Sequence, residues 1–220
     1  MSIQIQGGTS GVVADVGDTN LAQRAEIRPL NITQTTEGSY RMGVTTGDMA
    51  AGLAAASPIF EFRNPGTRTI VLHSLKISAA SNGTGFAAGL AFFKLFKLRT
   101  HTVIATGAGG AAVAMTTLMG LQRTGQVDPS ALAYLSATAA LTIGAGATAD
   151  TNAIAQSGLF TVGAATLTNF TLGTCTLFDE KTQYPLVLGA NEGFTIRATV
   201  PATGVWIGQI DLHWSEKSTY

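Results

Sequence analysis

The sequence predicts an all-β fold: an antiparallel β-sandwich of the jelly-roll type with an extended N-terminal arm. Three observations favour this fold. Apolar and polar side chains alternate along residues 194–214, as they do in strands with one buried face. Gly, Pro and Asn separate the apolar runs throughout the chain, and helical periodicity is scarce. Together these features predict many short strands in two packed layers.

The C-terminal hairpin is the clearest predicted element. Apolar residues alternate with Thr195, Arg197 and Thr199, and the alternation resumes beyond residues 201–204. In that Pro-Ala-Thr-Gly segment, proline fixes its own φ, and Gly204 accepts a φ that other residues resist. We therefore expect two antiparallel strands joined by a tight turn at these four positions.

The upstream strands begin near Tyr40, close to the start of the predicted sandwich domain at residues 39–220. Residues 57–62 and 70–79 alternate well enough to predict two strands, with a turn-forming Asn-Pro-Gly between them. A further strand is predicted at Gly89–Arg99. It is apolar on both faces, so it should be central or lie at an interface.

Residues 100–178 form a long irregular insertion in this domain, rich in Gly, Ala and Thr. Its charged residues are Arg123, Asp128 and Asp150. Residues 131–143 fit a strand, but residues 128–130 could instead cap a short helix. Because soluble domains normally keep charge on their surface, so neutral a stretch indicates deep burial or contact with neighbouring subunits.

Composition excludes several classes of partner. Charged residues make up 12% of the chain, about half of the usual share of roughly 25%, and the formal net charge is zero. We see no basic stripe for nucleic acid, no apolar run long enough to span a membrane, and no secretory signal at the start of the chain. We expect a soluble protein, made in the cytoplasm, that binds neither nucleic acid nor membranes.

The three histidines are His73, His101 and His213, and none belongs to a motif with metal-ligand spacing. Strand alternation places His73 on the apolar face with Leu75 and Ile77, which predicts a hydrogen-bonded core or interface histidine. His213 falls on the polar face of the last strand, where we expect it to be solvated.

No motif for catalysis or cofactor binding is present. The nucleophile elbow G-x-S-x-G and the phosphate loop G-x-x-x-x-G-K-[ST] are both missing from the sequence. Asp179 or Glu180 could pair with Glu192 as in a glycosidase, but these residues fit solvated turns better. We therefore expect no enzyme activity, cofactor or metal, and a protein that works by shape and assembly.

Residues 1–38 form the predicted arm. Glycines divide it into apolar pieces too short to close a core, so the arm should lie across another surface or add a strand to one; a frayed terminus is the alternative. The candidate interface residues are Ile3, Ile5, Val12 and Val13 in the arm and Phe92, Phe93, Leu95 and Phe96 in the strand Gly89–Arg99. Because one sandwich interior accepts only one face of a strand, we expect self-association.

Several segments between residues 38 and 216 form a recognisable set. They are Ala50-Ala-Gly-Leu-Ala54 with Ser57-Pro-Ile-Phe-Glu-Phe-Arg63, Phe86-Ala-Ala-Gly-Leu-Ala91, Tyr184-Pro-Leu-Val-Leu188, Asn191-Glu-Gly-Phe-Thr-Ile-Arg-Ala-Thr-Val-Pro-Ala-Thr-Gly-Val-Trp206 and His213-Trp-Ser-Glu216. Together they resemble virion structural proteins of tailed bacteriophages, and the C-terminal hairpin is the most specific part. The glycine-rich opening at residues 7–16 also resembles the start of many phage structural proteins.

The resemblance implies a non-enzymatic virion component, made in the host cytoplasm: a capsid cement or decoration protein that stabilises the head by bridging capsid subunits. Its partners would be the major capsid protein or other virion proteins, and its own copies. A homotrimer is expected by analogy, since trimeric jelly rolls recur at capsid threefold positions. The alternative is a tail- or neck-associated adhesin or receptor-binding module, because jelly rolls also serve as lectin domains.

Overall fold

The computed structural model describes residues 3–6, 13–16, 38–50, 53, 56–66, 68–105, 109–116, 119–120, 127–157, 160–162 and 171–218. The chain divides into two units, Met1–Ile32 and Thr33–Tyr220. In the first unit, β1 (Ile3–Gln6) pairs antiparallel with β2 (Val13–Val16). The predicted arm therefore begins with a hairpin, and what the arm contacts stays a prediction.

The second unit is built from strands in two antiparallel sheets. The strands are β3 (Gly38–Thr45), β4 (Met49–Ala50), β5 (Ser57–Arg63), β6 (Thr69–Ser81), β7 (Gly89–Arg99), β8 (Gly110–Ala112), β9 (Leu132–Ser136), β10 (Thr148–Ala149), β11 (Ala155–Gln156), β12 (Phe160–Val162), β13 (Thr171–Asp179), β14 (Leu186–Leu188), β15 (Gly193–Thr199) and β16 (Val205–Lys217). The first sheet has the order β13-β6-β16-β3, with β14 also on β6 and β4 also on β16. The second has the order β10-β7-β15-β5-β9-β8, with β11 and β12 also on β7.

The connectivity is that of a jelly roll. Strands pair in a nested series along the chain: β3 with β16, β5 with β15, β6 with β13 and β14, and β7 with β10, β11 and β12. Successive pairs fall alternately in the first and the second sheet. Two interlocked Greek keys give this arrangement, so the predicted all-β jelly-roll sandwich is confirmed. No helix in the described part of the chain is long and apolar enough to cross a membrane.

The core lies between the two sheets and is rich in aromatic side chains. Trp214 of the first sheet stacks on Tyr40 at 5.4 Å between ring centroids and meets the edge of Phe62, in the second sheet, at 5.4 Å. Phe62 in turn stacks on Phe194 at 5.1 Å. Such pairs add about 0.5–1.5 kcal/mol each beyond the burial of their area, so this cluster holds the sheets together.

The predicted turn at residues 201–204 joins β15 to β16. Gly204 has a φ of 121°, in the region that favours glycine. A Cβ at this position would lie 3.0 Å from the ring of Phe86. The turn therefore requires glycine both for its backbone conformation and for the close approach of Phe86.

A bulge in β6 overturns the predicted placement of His73. Along β16, His213 is opposite Ser74 and Trp214 is opposite Leu72, so His73 is an extra residue between them. An inserted residue reverses the alternation of faces. As a result Leu72 and Leu75 both belong to the core, whereas His73 lies on the outer face and not on the apolar face.

The insertion at residues 100–178, which we call the middle segment, contributes strands to the sandwich. β10, β11 and β12 follow one another along β7 and together act as its edge partner. Of the two possibilities for residues 131–143, the structure shows a strand, β9. Residues 128–130 do not cap a helix; Ser130 instead donates from its backbone N–H and its Oγ to the buried carboxylate of Glu216, at 2.8 and 2.6 Å.

Candidate functional site

The outer face of β7 carries the most exposed large apolar residue described in the second sheet, Leu90. Ala91, Phe93 and Leu95 belong to the core, so alternation places Leu90, Phe92, Lys94 and Phe96 on the outer face. Exposure of the apolar side chains falls along this face: Leu90 is 50% exposed, Phe92 is half-buried and Phe96 is 8% exposed. The face is thus open at its Leu90 end and covered at its Phe96 end.

These positions correct part of the predicted interface. Phe93 is 1% exposed and Leu95 is fully buried, because they fill the sandwich of their own chain. Phe96 is also buried, on the opposite face. Of the four candidates in β7, Phe92 retains exposed surface, and the interface itself stays a prediction.

Three of the four arm candidates lie on the paired strands β1 and β2. Ile3 and Ile5 lie in β1 and Val13 lies in β2, while Val12 lies outside the described residues. The pairing of β1 with β2 brings Ile3 opposite Val16. Their proposed contact with a partner is untested.

The chain itself covers the far end of the outer face of the second sheet through Glu61. This residue lies on β5 and is fully buried. Its Oε1 accepts hydrogen bonds from His101 Nε2 at 2.5 Å and from the Ala105 N–H at 2.7 Å, and its Oε2 accepts from the Gly144 N–H at 3.2 Å. Hydrogen bonds to one carboxylate therefore hold two loops of the middle segment over the sheet.

Gly193 makes room for this arrangement. A Cβ on Gly193 would lie 2.5 Å from His101 Nδ1 and closer still to the Phe62 carbonyl oxygen. His101 can therefore lie against β15 only where that strand has no side chain. No sequence motif indicated this contact, because Glu61, His101 and Gly193 come from three separate elements.

Two cations lie over aromatic rings along this face, one nearer its open end and one at its covered end. Lys94 Nζ is 5.2 Å from the centroid of Phe92, and Arg197 Cζ is 4.6 Å from that of Phe96, both within the range of cation–π contacts. Burial lowers the pKa of Arg197, and its Nε has no hydrogen-bond partner among the described residues. We call Leu90, Phe92, Lys94, Phe96 and Arg197 the β7 outer patch.

A hydrogen-bonded line of side chains crosses the outer face of the first sheet. His213 Nε2 lies 3.1 Å from Ser39 Oγ, and His73 Nε2 lies 2.8 Å from Ser215 Oγ. His73 Nδ1 contacts the Glu180 carboxylate, and the two imidazole centroids are 4.7 Å apart. We call these five residues the histidine array; the β6 bulge brings it together.

The pKa of His213 is lowered within this array. Desolvation lowers the pKa of His213, the neighbouring His73 and Arg41 lower it further, and Glu180 opposes them. The prediction that His213 is simply solvated is therefore wrong. The residue is half-buried because the other members of the array lie against it.

Ser215, His73 and Glu180 have the connectivity of a hydrolase triad, but their surroundings do not suit acyl transfer. Ser215 is 7% exposed. It lies within β16, paired with Ser39 on one side and Val71 on the other. The backbone at this position therefore takes part in strand pairing and is not arranged to stabilise an oxyanion. The array is better explained as a structural network across the strands.

A depression of about 290 Å³ adjoins the histidine array on the same face. The residues that line it are Arg41, Ser74, Lys76, Asp211, Leu212 and His213, from strands β3, β6 and β16. We call it the Arg41 depression. Among the described residues, no group of three His, Cys, Asp or Glu side chains could hold a metal ion.

Comparisons with known proteins give one weak similarity. No family model matches the chain, and no curated protein matches it. The chain is similar to the crystal structure of the infectious bursal disease virus VP2 subviral particle, with 11% identity and a TM-score of 0.16. The match covers 98% of this chain and 46% of that one, so the chain spans about half the length of that protein. A TM-score this low carries no argument about fold or function.

Proposed function

We propose that this protein is a non-enzymatic structural component of a virion, a cement or decoration protein that stabilises the head by bridging capsid subunits. The observation that carries the proposal is the β7 outer patch, where Leu90 lies exposed and Phe92 half-buried on the outer face of a sandwich whose core is already complete. The jelly-roll fold and the resemblance of residues 38–216 to phage virion proteins support it. A tail or neck location is the alternative placement.

The energetics of the patch favour association. Burying a leucine or a phenylalanine fully stabilises by about 1.5–3 kcal/mol, so a partner that covers Leu90 and Phe92 gains several times the thermal energy. The partner could be a capsid protein or a second copy of this chain. A homotrimer remains the expected state by analogy.

The cations of the patch add a requirement on the partner. Lys94 and the partly buried Arg197 rest on aromatic rings, and Arg197 Nε lacks an acceptor within the described residues. Arg197 Nε is buried inside the chain and out of a partner's reach. A partner surface that offers carboxylates or carbonyl oxygens between apolar side chains would accept hydrogen bonds from Lys94 Nζ and from the terminal guanidinium nitrogens of Arg197. Charge-assisted hydrogen bonds of this kind are worth about 1.5–3 kcal/mol.

The test uses Phe92→Glu, which places a charge in the patch without entering the core. Thr45→Glu is the matched control, because Thr45 is exposed on the outer face of the other sheet. We expect Phe92→Glu to lower the mass measured by light scattering and to abolish co-sedimentation with capsids, whereas Thr45→Glu changes neither. Wild-type protein that stays monomeric and does not sediment with capsids would refute the proposal.

A further inference from the structure

The Arg41 depression contains charges of both signs that the chain leaves unpaired. Within the described residues, Arg41, Lys76 and Asp211 take part in no ion pair and no side-chain hydrogen bond. Asp211 lies on β16, directly opposite Lys76 on β6 and Gly43 on β3. In ligand sites a small number of polar or charged groups in a concave surface fix the orientation of the ligand, and these three residues could do so here.

Gly43 helps to shape this depression. A Cβ on Gly43 would come within 3.0 Å of Asp211 Oδ1, so a larger residue on β3 would press against the carboxylate. The next cross-strand row places His213 opposite Arg41 on one side and Ser74 on the other. Two adjacent rows therefore present a guanidinium, an ammonium, a carboxylate, a hydroxyl and an imidazole.

We propose that the Arg41 depression binds an acidic sugar, through Arg41 on the sugar carboxylate and Lys76 and Asp211 on its hydroxyl groups. Arginine is suited to carboxylates because its planar fork donates two parallel hydrogen bonds. Asp211 accepts hydrogen bonds, so it selects ligands that carry donors beside their negative charge. The same carboxylate repels a phosphate, which carries more charge and fewer donors.

The dimensions of the site favour a ring over a compact zwitterion. Neighbouring strands lie about 4.8 Å apart, so β3 and β6 are separated by about 10 Å across β16. Arg41 and Lys76 line the depression from the two outer strands, with Asp211 on the strand between them, so a ring lying over β16 can contact all three. The volume of about 290 Å³ lies just below the range of about 300–1,000 Å³ for ligand sites, so the depression has room for a single ring and not for a larger ligand. This inference does not depend on the proposed role in a virion.

The experiment titrates the full-length protein with sodium glucuronate and follows backbone amide shifts by NMR. Glucose, inorganic phosphate and glycine are titrated in parallel. We expect saturable shifts with glucuronate at residues lining the depression, and weaker binding of the other three compounds. Arg41→Gln and Asp211→Asn should each weaken glucuronate binding about tenfold or more, since each removes a hydrogen bond to a charged group.

Arg99→Gln is the control for Arg41→Gln, because it removes the same charge from the second sheet, where Arg99 pairs with Asp150 at the surface. It should leave glucuronate binding unchanged, and the spectra themselves show whether each variant is folded. Absence of saturable shifts with glucuronate overturns the proposal. Phosphate or glycine binding as tightly as glucuronate overturns it as well, because the site would then recognise charge and not an acidic sugar.

Discussion

Gly193 is a position at which the absence of a side chain allows a close contact between strands and a loop. Its Cα faces His101 Nδ1 and the Phe62 carbonyl, so a methyl group there must displace a ring or a strand. We expect Gly193→Ala to lower the free energy of unfolding by about 1–3 kcal/mol, the usual cost of overpacking. Urea denaturation measures this change.

Gly173→Ala provides the matched control. Gly173 also lies in a strand, β13, yet a Cβ there would meet no atom of the described residues within 4 Å. Its unfolding free energy should therefore stay close to that of the wild type. Equal losses in the two variants would show that strand geometry, and not the contact with His101, explains the effect.

His213 links stability to pH. Because burial lowers its pKa in the folded chain below the ordinary value of 6.5, the unfolded chain takes up the proton first as the pH falls. This contribution to stability is therefore present above pH 6.5 and is lost as the pH falls from there through the folded-state pKa. The charged or titratable groups around the ring are His73, Glu180 and Arg41.

The measurement compares urea denaturation at about pH 7.5 and about pH 5.5. Wild-type protein should lose more stability between these values than His213→Gln, which has no imidazole to titrate. Glutamine can still bond to Ser39, so the variant should fold. A pH dependence that the substitution leaves unaltered would place the titrating group elsewhere.

At the scale of elements, Glu61 decides whether the loops of the middle segment stay over the second sheet. Glu61→Gln keeps the size of the side chain but replaces one acceptor oxygen by a donor. That donor must face an N–H group of the loops, so we expect the free energy of unfolding to fall by about 1–3 kcal/mol. Hydrogen exchange at Ala105 and Gly144 should also become faster.

Asp150→Asn is the comparison for this change. Asp150 pairs with Arg99 at the surface, where solvent screens the interaction. Its loss should alter stability little and leave exchange at Ala105 unaffected. If Glu61→Gln behaves in the same way, the buried carboxylate does not hold the loops.

The elements predictable from the sequence were those whose pattern is local. β15 and β16 alternate on either side of a Pro-Ala-Thr-Gly turn, and the structure confirms both strands and the turn. The β6 bulge was not predictable, because an inserted residue is defined only by the partner strand. For the same reason the histidine array was missed: Ser39, His73, Glu180 and Ser215 meet through strand register and not through sequence spacing.

The β7 strand shows an intermediate case. Its apolar residues on both faces correctly indicated a strand whose second face needs cover. The sequence could not show that Glu61 holds loops over one end while Leu90 stays exposed and Phe92 half-buried at the other. That distinction depends on hydrogen bonds between residues far apart in the chain.

At the scale of the whole sandwich, the two outer faces differ in chemistry. The second sheet presents apolar side chains with cations resting on rings, whereas the first presents hydrogen-bonded polar groups and a charged depression. Because the sheets lie back to back, a partner on one face leaves the other accessible. The proposed association surface and the proposed sugar site can therefore be occupied together.

The nested pairing of strands also governs when the sandwich can form during synthesis. β16 is the central strand between β3 and β6, yet it follows both of them by more than a hundred residues of chain. A ribosome-bound chain that lacks β16 cannot complete the first sheet, so its strands have exposed edges open to wrong pairing. Folding of such long-range contacts is slow. We therefore expect the growing chain to be most prone to wrong pairing before the β15–β16 hairpin has emerged from the ribosome.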